Sequence, residues 1–267
     1  MSTAATSMAR DQIEISQAFR LVGRPEDALN ALISPGDDFV EFYMLRGELQ
    51  LELGRVHEAA GSFFTLVTDE PRNASAQYNL GICFYRLGRW TEASQAFEKA
   101  LDIDSSRDDA RLGLGDCLLR MERAESALNH FENCMSKAAR PKGLFGKAVS
   151  LQLLGRFDEA EATYDGFLEF EPNSEEALSN LVAMNIQAGR HELARGHALR
   201  LLEISPDSTA AHKCLAAVAL HQDEFETVVR HCGRIIERVP GCREAWQNLR
   251  FASGRVMSTL TPDSGRK

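Results

Sequence analysis

The dipeptide Gly-Arg recurs along this chain at Gly23, Gly54, Gly88, Gly155 and Gly189, at separations of 31, 34, 67 and 34 residues. The 67 is 33 plus 34, with one copy lacking the dipeptide in between. A proline keeps the same step, since Pro71, Pro172, Pro206 and Pro240 lie 101, 34 and 34 residues apart. Two independent markers therefore share one period near 34. A chain built this way is an array of copies of one small unit, each covered by its neighbours.

The clearest unit is residues 74–107. Gln77, Leu80, Gly81 and Phe84 stand at i, i+3, i+4 and i+7, one face of a helix. Gly88 stops that helix, because glycine accepts the left-handed cap conformation without a steric penalty. Ala93, Phe97 and Ala100 mark a second helix at i, i+4 and i+7. Two helices joined by so short a turn lie antiparallel. Small residues at Gly81 and Ala93 let them approach closely. Each hairpin keeps one apolar side open, which only the next hairpin can cover, so the units stack.

With its Leu80-Gly81, Ala93, Phe97 and Ala100, this unit resembles the tetratricopeptide repeat, whose pattern is W-x2-L-G-x2-Y, then A-x3-F, A and P. The resemblance covers about nine tenths of the chain. It implies an all-α fold, a right-handed α-solenoid or superhelix of stacked antiparallel helix pairs. On that frame a single solenoid spans 9–257, with repeats at 9–39, 40–73, 74–107, 108–140, 141–174, 175–208 and 209–242 and a capping helix at 243–257. The fifth repeat keeps the pattern with Leu144, Ala148, Leu151, Gly155, Phe157, Ala160, Tyr164 and Pro172. In repeat two, Arg46 and Gln50 occupy apolar slots while Phe42, Leu45 and Leu49 form a neighbouring stripe, so its first helix is expected to be rotated. Repeats four and seven put Glu122-Arg123 and Asp223-Glu224 at the turn, and Asn185 fills an apolar slot in repeat six. In the cap, Trp246 and Leu249 are expected on the inner face, followed there by Arg250 and Ser253. Residues 1–8 and 258–267 are expected to be disordered tails.

Composition excludes several classes. The longest unbroken apolar run, Cys214 to Leu220, is seven residues, against about 20 for a membrane span. Met1 to Gln12 carries no basic region followed by an apolar run, so no secretory signal is read there and a cytoplasmic location is expected. The net charge of −9 is uneven: −6 over residues 1–73, −4 over 74–174 and +1 over 175–267. The acidic first two thirds would repel a polyanion, so nucleic acid is not an expected partner. Cys83, Cys117, Cys134, Cys214, Cys232 and Cys242 form no CxxC pair and read as small buried apolar residues.

Catalytic and metal motifs fail on spacing. His191 and His197 are six residues apart, about 240° round a helix, whereas HExxH needs i and i+4. Gly113-Leu-Gly115 follows no strand and sits inside a first helix, with Gly115 at the small contact position. Almost every residue is committed to a repeat. The expectation is therefore no enzyme, no cofactor and no metal.

A second stripe, at positions 2, 5, 9 and 12 of each repeat, lies further round the first helix than the core stripe. The family resemblance implies that this stripe lines a concave groove in which such proteins grip peptides or helices. In the middle repeats it offers Tyr78, Ile82 and Tyr85, then Leu112 and Asp116, then Phe145 and Val149, with Asn79, Arg86 and Arg120 beside them. Aromatic residues and Arg are common interface anchors. The clamp some relatives use for acidic chaperone tails is not matched: around Asn79 its places read Met44, Glu48, Asp109 and Gly113. The asparagine ladder of other relatives is broken at Leu45, Gly113, Gly146 and Cys214. The expected function is a non-catalytic scaffold holding a partner helix or peptide in the groove, oriented by the two Arg. The alternatives are a self-assembling scaffold and a regulatory subunit of an enzyme or secretion complex.

Overall fold

The computed structural model describes residues 3–35, 39–134 and 136–260. They form fifteen α-helices, with no strand among the described residues. The chain divides into two compact units, Met1–Ser150 and Leu151–Lys267.

The first unit contains α1 (Thr3–Leu21), α2 (Pro25–Ala31), α3 (Phe39–Glu52), α4 (Val56–Asp69), α5 (Ala74–Arg86), α6 (Trp90–Ile103), α7 (Asp108–Arg120), α8 (Ala124–Glu132) and most of α9 (Arg140–Leu153). Within it α1 packs on α2, α3 on α4, α5 on α6 and α7 on α8, and successive hairpins pack through α2 on α3, α4 on α5 and α6 on α7. This is an all-α solenoid. Helix α1 begins at Thr3, so residues 3–8, expected to be disordered, are helical; Ala4, Ala5 and Ala9 are strong helix formers. The expectations for residues 1–2 and 261–267 lie outside the described residues.

The turn and the contact recur from hairpin to hairpin. Gly23, Gly54 and Gly88 adopt φ of +72 to +73°, the left-handed region. The Arg that follows reaches an acid: Arg24 Nε donates to Asp27 Oδ2 at 2.7 Å and Arg89 Nη2 to Glu92 Oε1 at 2.8 Å, while Arg55 Nη2 reaches Glu26 Oε2 at 2.8 Å. Glu122 enters the same region at φ 59° without being glycine. Inside the hairpins α3–α4, α5–α6 and α7–α8 a buried phenylalanine ring from the second helix rests on a glycine of the first. A Cβ at Gly47 would meet Phe63 at 2.5 Å, one at Gly81 would meet Phe97 at 2.7 Å, and one at Gly115 would meet Phe131 at 2.6 Å. Gly47 thus stands where Gly81 and Gly115 stand, so α3 keeps the common register and is not rotated. Gln50 is buried there because Ser62 Oγ donates to its Oε1 at 2.7 Å.

The second unit contains α10 (Phe157–Leu168), α11 (Glu175–Gln187), α12 (His191–Ile204), α13 (Thr209–His221), α14 (Phe225–Arg238) and α15 (Arg243–Leu260). Ser174 and Ser208 cap α11 and α13 by accepting from Ala177 N and Ala211 N. Gly155 and Gly189 repeat the left-handed turn, and Asp223 takes it at φ 57°. Asn185 is fully buried, and its Nδ2 donates to Glu161 Oε1 at 3.4 Å. Glu161 also faces Arg190 at 3.2 Å and His197 at 3.5 Å. Helix α15 runs to Leu260, three residues past the expected end of the cap. Its buried face is Ala245, half-buried Leu249 and Ala252, at i, i+4 and i+7. Trp246 is 51% exposed and donates from Nε1 to the Pro240 carbonyl, so the expectation that it faces inward is corrected: small alanines let α15 lie close to α14, and the indole is left outside.

Candidate functional site

The predicted groove residues fall on three helices of the first unit. Tyr78, Asn79, Ile82, Tyr85 and Arg86 lie on α5, Leu112, Asp116 and Arg120 on α7, and Phe145 and Val149 on α9. Helices α5 and α7, the first helices of successive hairpins, touch directly, which brings the first two sets side by side. Tyr78, Ile82, Tyr85 and Leu112 are half-buried, packed with Leu119 against the core of Phe97, Leu114 and Phe131. They cover the core below and present their other edge to solvent. Asn79, Phe145 and Val149 are also half-buried, while Arg86, Asp116 and Arg120 are exposed.

The stripe is braced by residues that the sequence did not single out. Arg107, just before α7, lies over the Tyr78 ring at 4.9 Å. It donates from Nη1 to Ser75 Oγ at 2.8 Å and from Nη2 to Asp109 Oδ2 at 2.7 Å. Tyr78 also meets Phe97 with ring centroids 5.8 Å apart. Trp90, at the start of α6, takes Tyr85 edge-on at 5.0 Å and carries Arg120 over its ring at 5.7 Å. The only sequence signal for Arg107 and Trp90 is their place at the start of a helix. Their partners lie in other helices, so the pattern along one helix does not reveal them.

Asp116 is exposed to solvent, yet burial among the surrounding protein pushes its carboxyl up to about 6, against the pull of Arg120 and Lys142. Tyr78 is likewise pushed up by burial, then by Asp109. At the N-terminal end the same stripe opens into a cavity of about 530 Å³ lined by Gln17, Arg20, Leu21, Glu41, Met44, Leu45 and Glu48. Glu41, Met44 and Glu48 are positions 2, 5 and 9 of the second repeat, so the cavity lies on the same stripe.

Among the described residues, no three His, Cys, Asp or Glu side chains are placed to hold a metal, and no helix is long and apolar enough to cross a membrane. Cys83, Cys117, Cys214 and Cys232 are buried, and burial pushes Cys83 and Cys117 up to about 12. A thiol so far from ionising is a packing group.

Known sequences and structures agree with this geometry. The model of the tetratricopeptide repeat matches residues 44–108, and that of the coatomer epsilon subunit matches residues 82–232, more than half of the chain. The chain is a tetratricopeptide repeat protein, and over residues 82–232 it belongs to the sequence family that the coatomer epsilon subunit model describes. No curated protein matches it. Among solved structures, the C-terminal part of a TPR repeat-containing protein from Cytophaga hutchinsonii is 16% identical, with 90% of this chain and 99% of that chain covered and a TM-score of 0.71. PilW, described as a widely conserved type IV pilus biogenesis factor, is 16% identical, with 80% and 97% covered and a TM-score of 0.66. YrrB, described as a TPR protein with an unusual peptide-binding site, is 21% identical, with 66% and 91% covered and a TM-score of 0.59. At these identities the likeness is one of fold.

Proposed function

We propose that this protein is a non-catalytic scaffold that holds a helix or peptide of another protein on the stripe formed by α5, α7 and α9. One observation carries the reading: Tyr78, Ile82, Tyr85, Leu112 and Leu119 form a continuous, half-buried apolar surface across two adjacent helices. A monomer seldom leaves such a surface without use. Arg86 and Arg120 flank it and would orient the segment through its carboxylates. The peptide-binding site named for YrrB makes a peptide ligand a natural occupant of this fold.

The test is capture of partner protein from the native host by the full chain and by Tyr78→Ala with Phe145→Ala. Retained capture by a folded double variant would remove the groove from consideration. Because Tyr78 also packs on Phe97, a second variant, Arg86→Glu with Arg120→Glu, changes only exposed positions and is expected to lose capture with the fold intact.

A second reading, self-assembly through the terminal repeat, draws on Leu21 and Ile33 in the first hairpin, which are 88% and 79% exposed. Light scattering that gives a monomer at high concentration ends it.

A further inference from the structure

Charge changes sign along the groove of the first unit. At the N-terminal cavity, Arg20 donates from Nη1 to Glu48 Oε2 at 2.8 Å and from Nε to Glu52 Oε1 at 2.8 Å, and Gln17 Nε2 donates to Glu41 Oε1 at 3.1 Å. The Arg20 guanidinium pairs with two carboxylates, and a third, Glu41, is held only by the neutral Gln17 amide, which leaves an excess of negative charge at that end. The tyrosines and leucines of α5 and α7 carry none. Beyond them, on α7 and α9, Arg120 and Lys142 make the excess positive, while Arg86 stands between the two ends, against α3. Arg86 and Arg120 hold equivalent places one period apart, the first donating to the Leu51 carbonyl at 3.4 Å and the second lying over Trp90. Neither forms an ion pair among the described residues. Lys142, at the start of α9, adds a third cation close enough to pull on Asp116. Asp109, the other acid on this part of the stripe, is neutralised by Arg107.

A segment of one charge sign would be attracted at one end of this groove and repelled at the other. Resting on the groove reading above, we propose that the occupant is an amphipathic polypeptide segment of fixed polarity. Its apolar face covers Tyr78, Ile82, Tyr85 and Leu112. A Lys or Arg sits at the end held by Glu41 and Glu48, and an Asp or Glu sits at the end held by Arg120 and Lys142. Apolar contact supplies the affinity, and the charges select direction and reject reversed segments.

The probe is a displayed library of random peptides, panned against the full chain and against three variant pairs. Enriched peptides are expected to carry an apolar core with a basic flank on one side and an acidic flank on the other, always in one orientation. Glu41→Gln with Glu48→Gln weakens them about three- to tenfold and removes the preference for the basic flank. Arg120→Gln with Lys142→Gln does the same for the acidic flank. Peptides that need Tyr78 and Tyr85 but show no charge asymmetry overturn the polarity and leave the groove standing. Peptides that bind a folded Tyr78→Ala with Tyr85→Ala variant unchanged, or a library from which nothing is enriched, overturn the groove and the polarity together.

Discussion

The Phe97 ring of α6 occupies the space that a side chain on Gly113 of α7 would need: a Cβ there would stand 2.7 Å from the ring. On its other side the same ring rests on Gly81 of its own hairpin. Phe97 is thus clasped between two glycines a repeat apart, and Phe131 is clasped in the same way between Gly115 and Gly146. This contact carries the stacking of one hairpin on the next, since the ring can be fully buried only if both first helices give up a side chain.

Gly113→Ala is therefore expected to destabilise the first unit by about 1–3 kcal/mol, the usual cost of overpacking a filled core. Gly61→Ala is the control. Gly61 also lies within a helix, but nothing stands within 4 Å of its would-be Cβ, and the better helix propensity of alanine should stabilise by about 0.5–1 kcal/mol. Urea denaturation of the two variants should move the midpoint in opposite directions. Equal shifts would mean that the ring contact does not set the stacking.

Glu122 holds the left-handed turn that glycine holds in the neighbouring repeats, at φ 59° against +72° for Gly88. A side chain in that conformation costs about 1–2 kcal/mol, part of which glycine returns through its freer unfolded state. Glu122→Gly is expected to stabilise by about 0.5–1 kcal/mol, read as a raised thermal midpoint. A lowered midpoint would show that the Glu122 side chain has a compensating contact.

How far the sequence could be read follows from which contacts lie on one helix. The turn glycines, Gly81 and Gly115 repeat in step with the period, so the hairpins and, outside repeat two, their contact faces were legible. Gly113 and Gly146 were not, because each answers a phenylalanine in the preceding hairpin and looks, along its own helix, like a missing ladder residue. Gln50 misled for a related reason: its apolar slot is made habitable by Ser62 on the next helix, which a single helical wheel does not contain. Trp246 was assigned inward by its place on the repeat frame, while close packing selected Ala245 and Ala252. That Tyr78, Ile82, Tyr85 and Leu112 share one stripe of α5 and α7 was legible, but their bracing by Arg107 and Trp90 is a product of the fold.

In the second unit, His212 and His231 meet through their Nδ1 atoms at 2.9 Å, and His212 Nε2 faces the Pro206 carbonyl at 3.1 Å. That carbonyl can only accept, so His212 carries its proton on Nε2, accepts at Nδ1 and receives the proton of His231 Nδ1. Burial, then the proximity of His212 and Arg230, lowers His231 to about 4. The unfolded chain binds this proton more tightly, so the contribution of His231 is intact above about 6.5 and is lost as pH falls from 6.5 towards 4. The loss is at most about 1.4 kcal/mol per pH unit, the slope of one proton. His231→Asn places an amide N–H where Nδ1–H was and cannot titrate. It is expected to match the parent near pH 7.5 and to flatten the decline below 6.5, measured by denaturant midpoints across that range. A decline of unchanged slope would place the titration elsewhere.

Asp116 gives the opposite pH dependence in the first unit. Burial among the surrounding side chains raises its carboxyl to about 6, with Arg120 and Lys142 opposing the shift. The folded state therefore holds the proton more tightly than the unfolded chain, whose aspartate titrates near 3.8. Between those values the folded state binds more protons, so stability falls as pH rises from about 4 to 6 and stays lower above it. The cost comes from holding an ionised carboxylate in a partly desolvated wall, which is what a groove kept ready for an occupant would tolerate. Asp116→Asn removes the charge at nearly constant shape. It is expected to converge with the parent near pH 4 and to be the more stable of the two at pH 7, measured by urea midpoints at both values. If the variant is instead less stable at pH 7, Asp116 is held by its cations more strongly than it is crowded, and this part of the stripe is an ion-pair surface rather than the wall of a cleft.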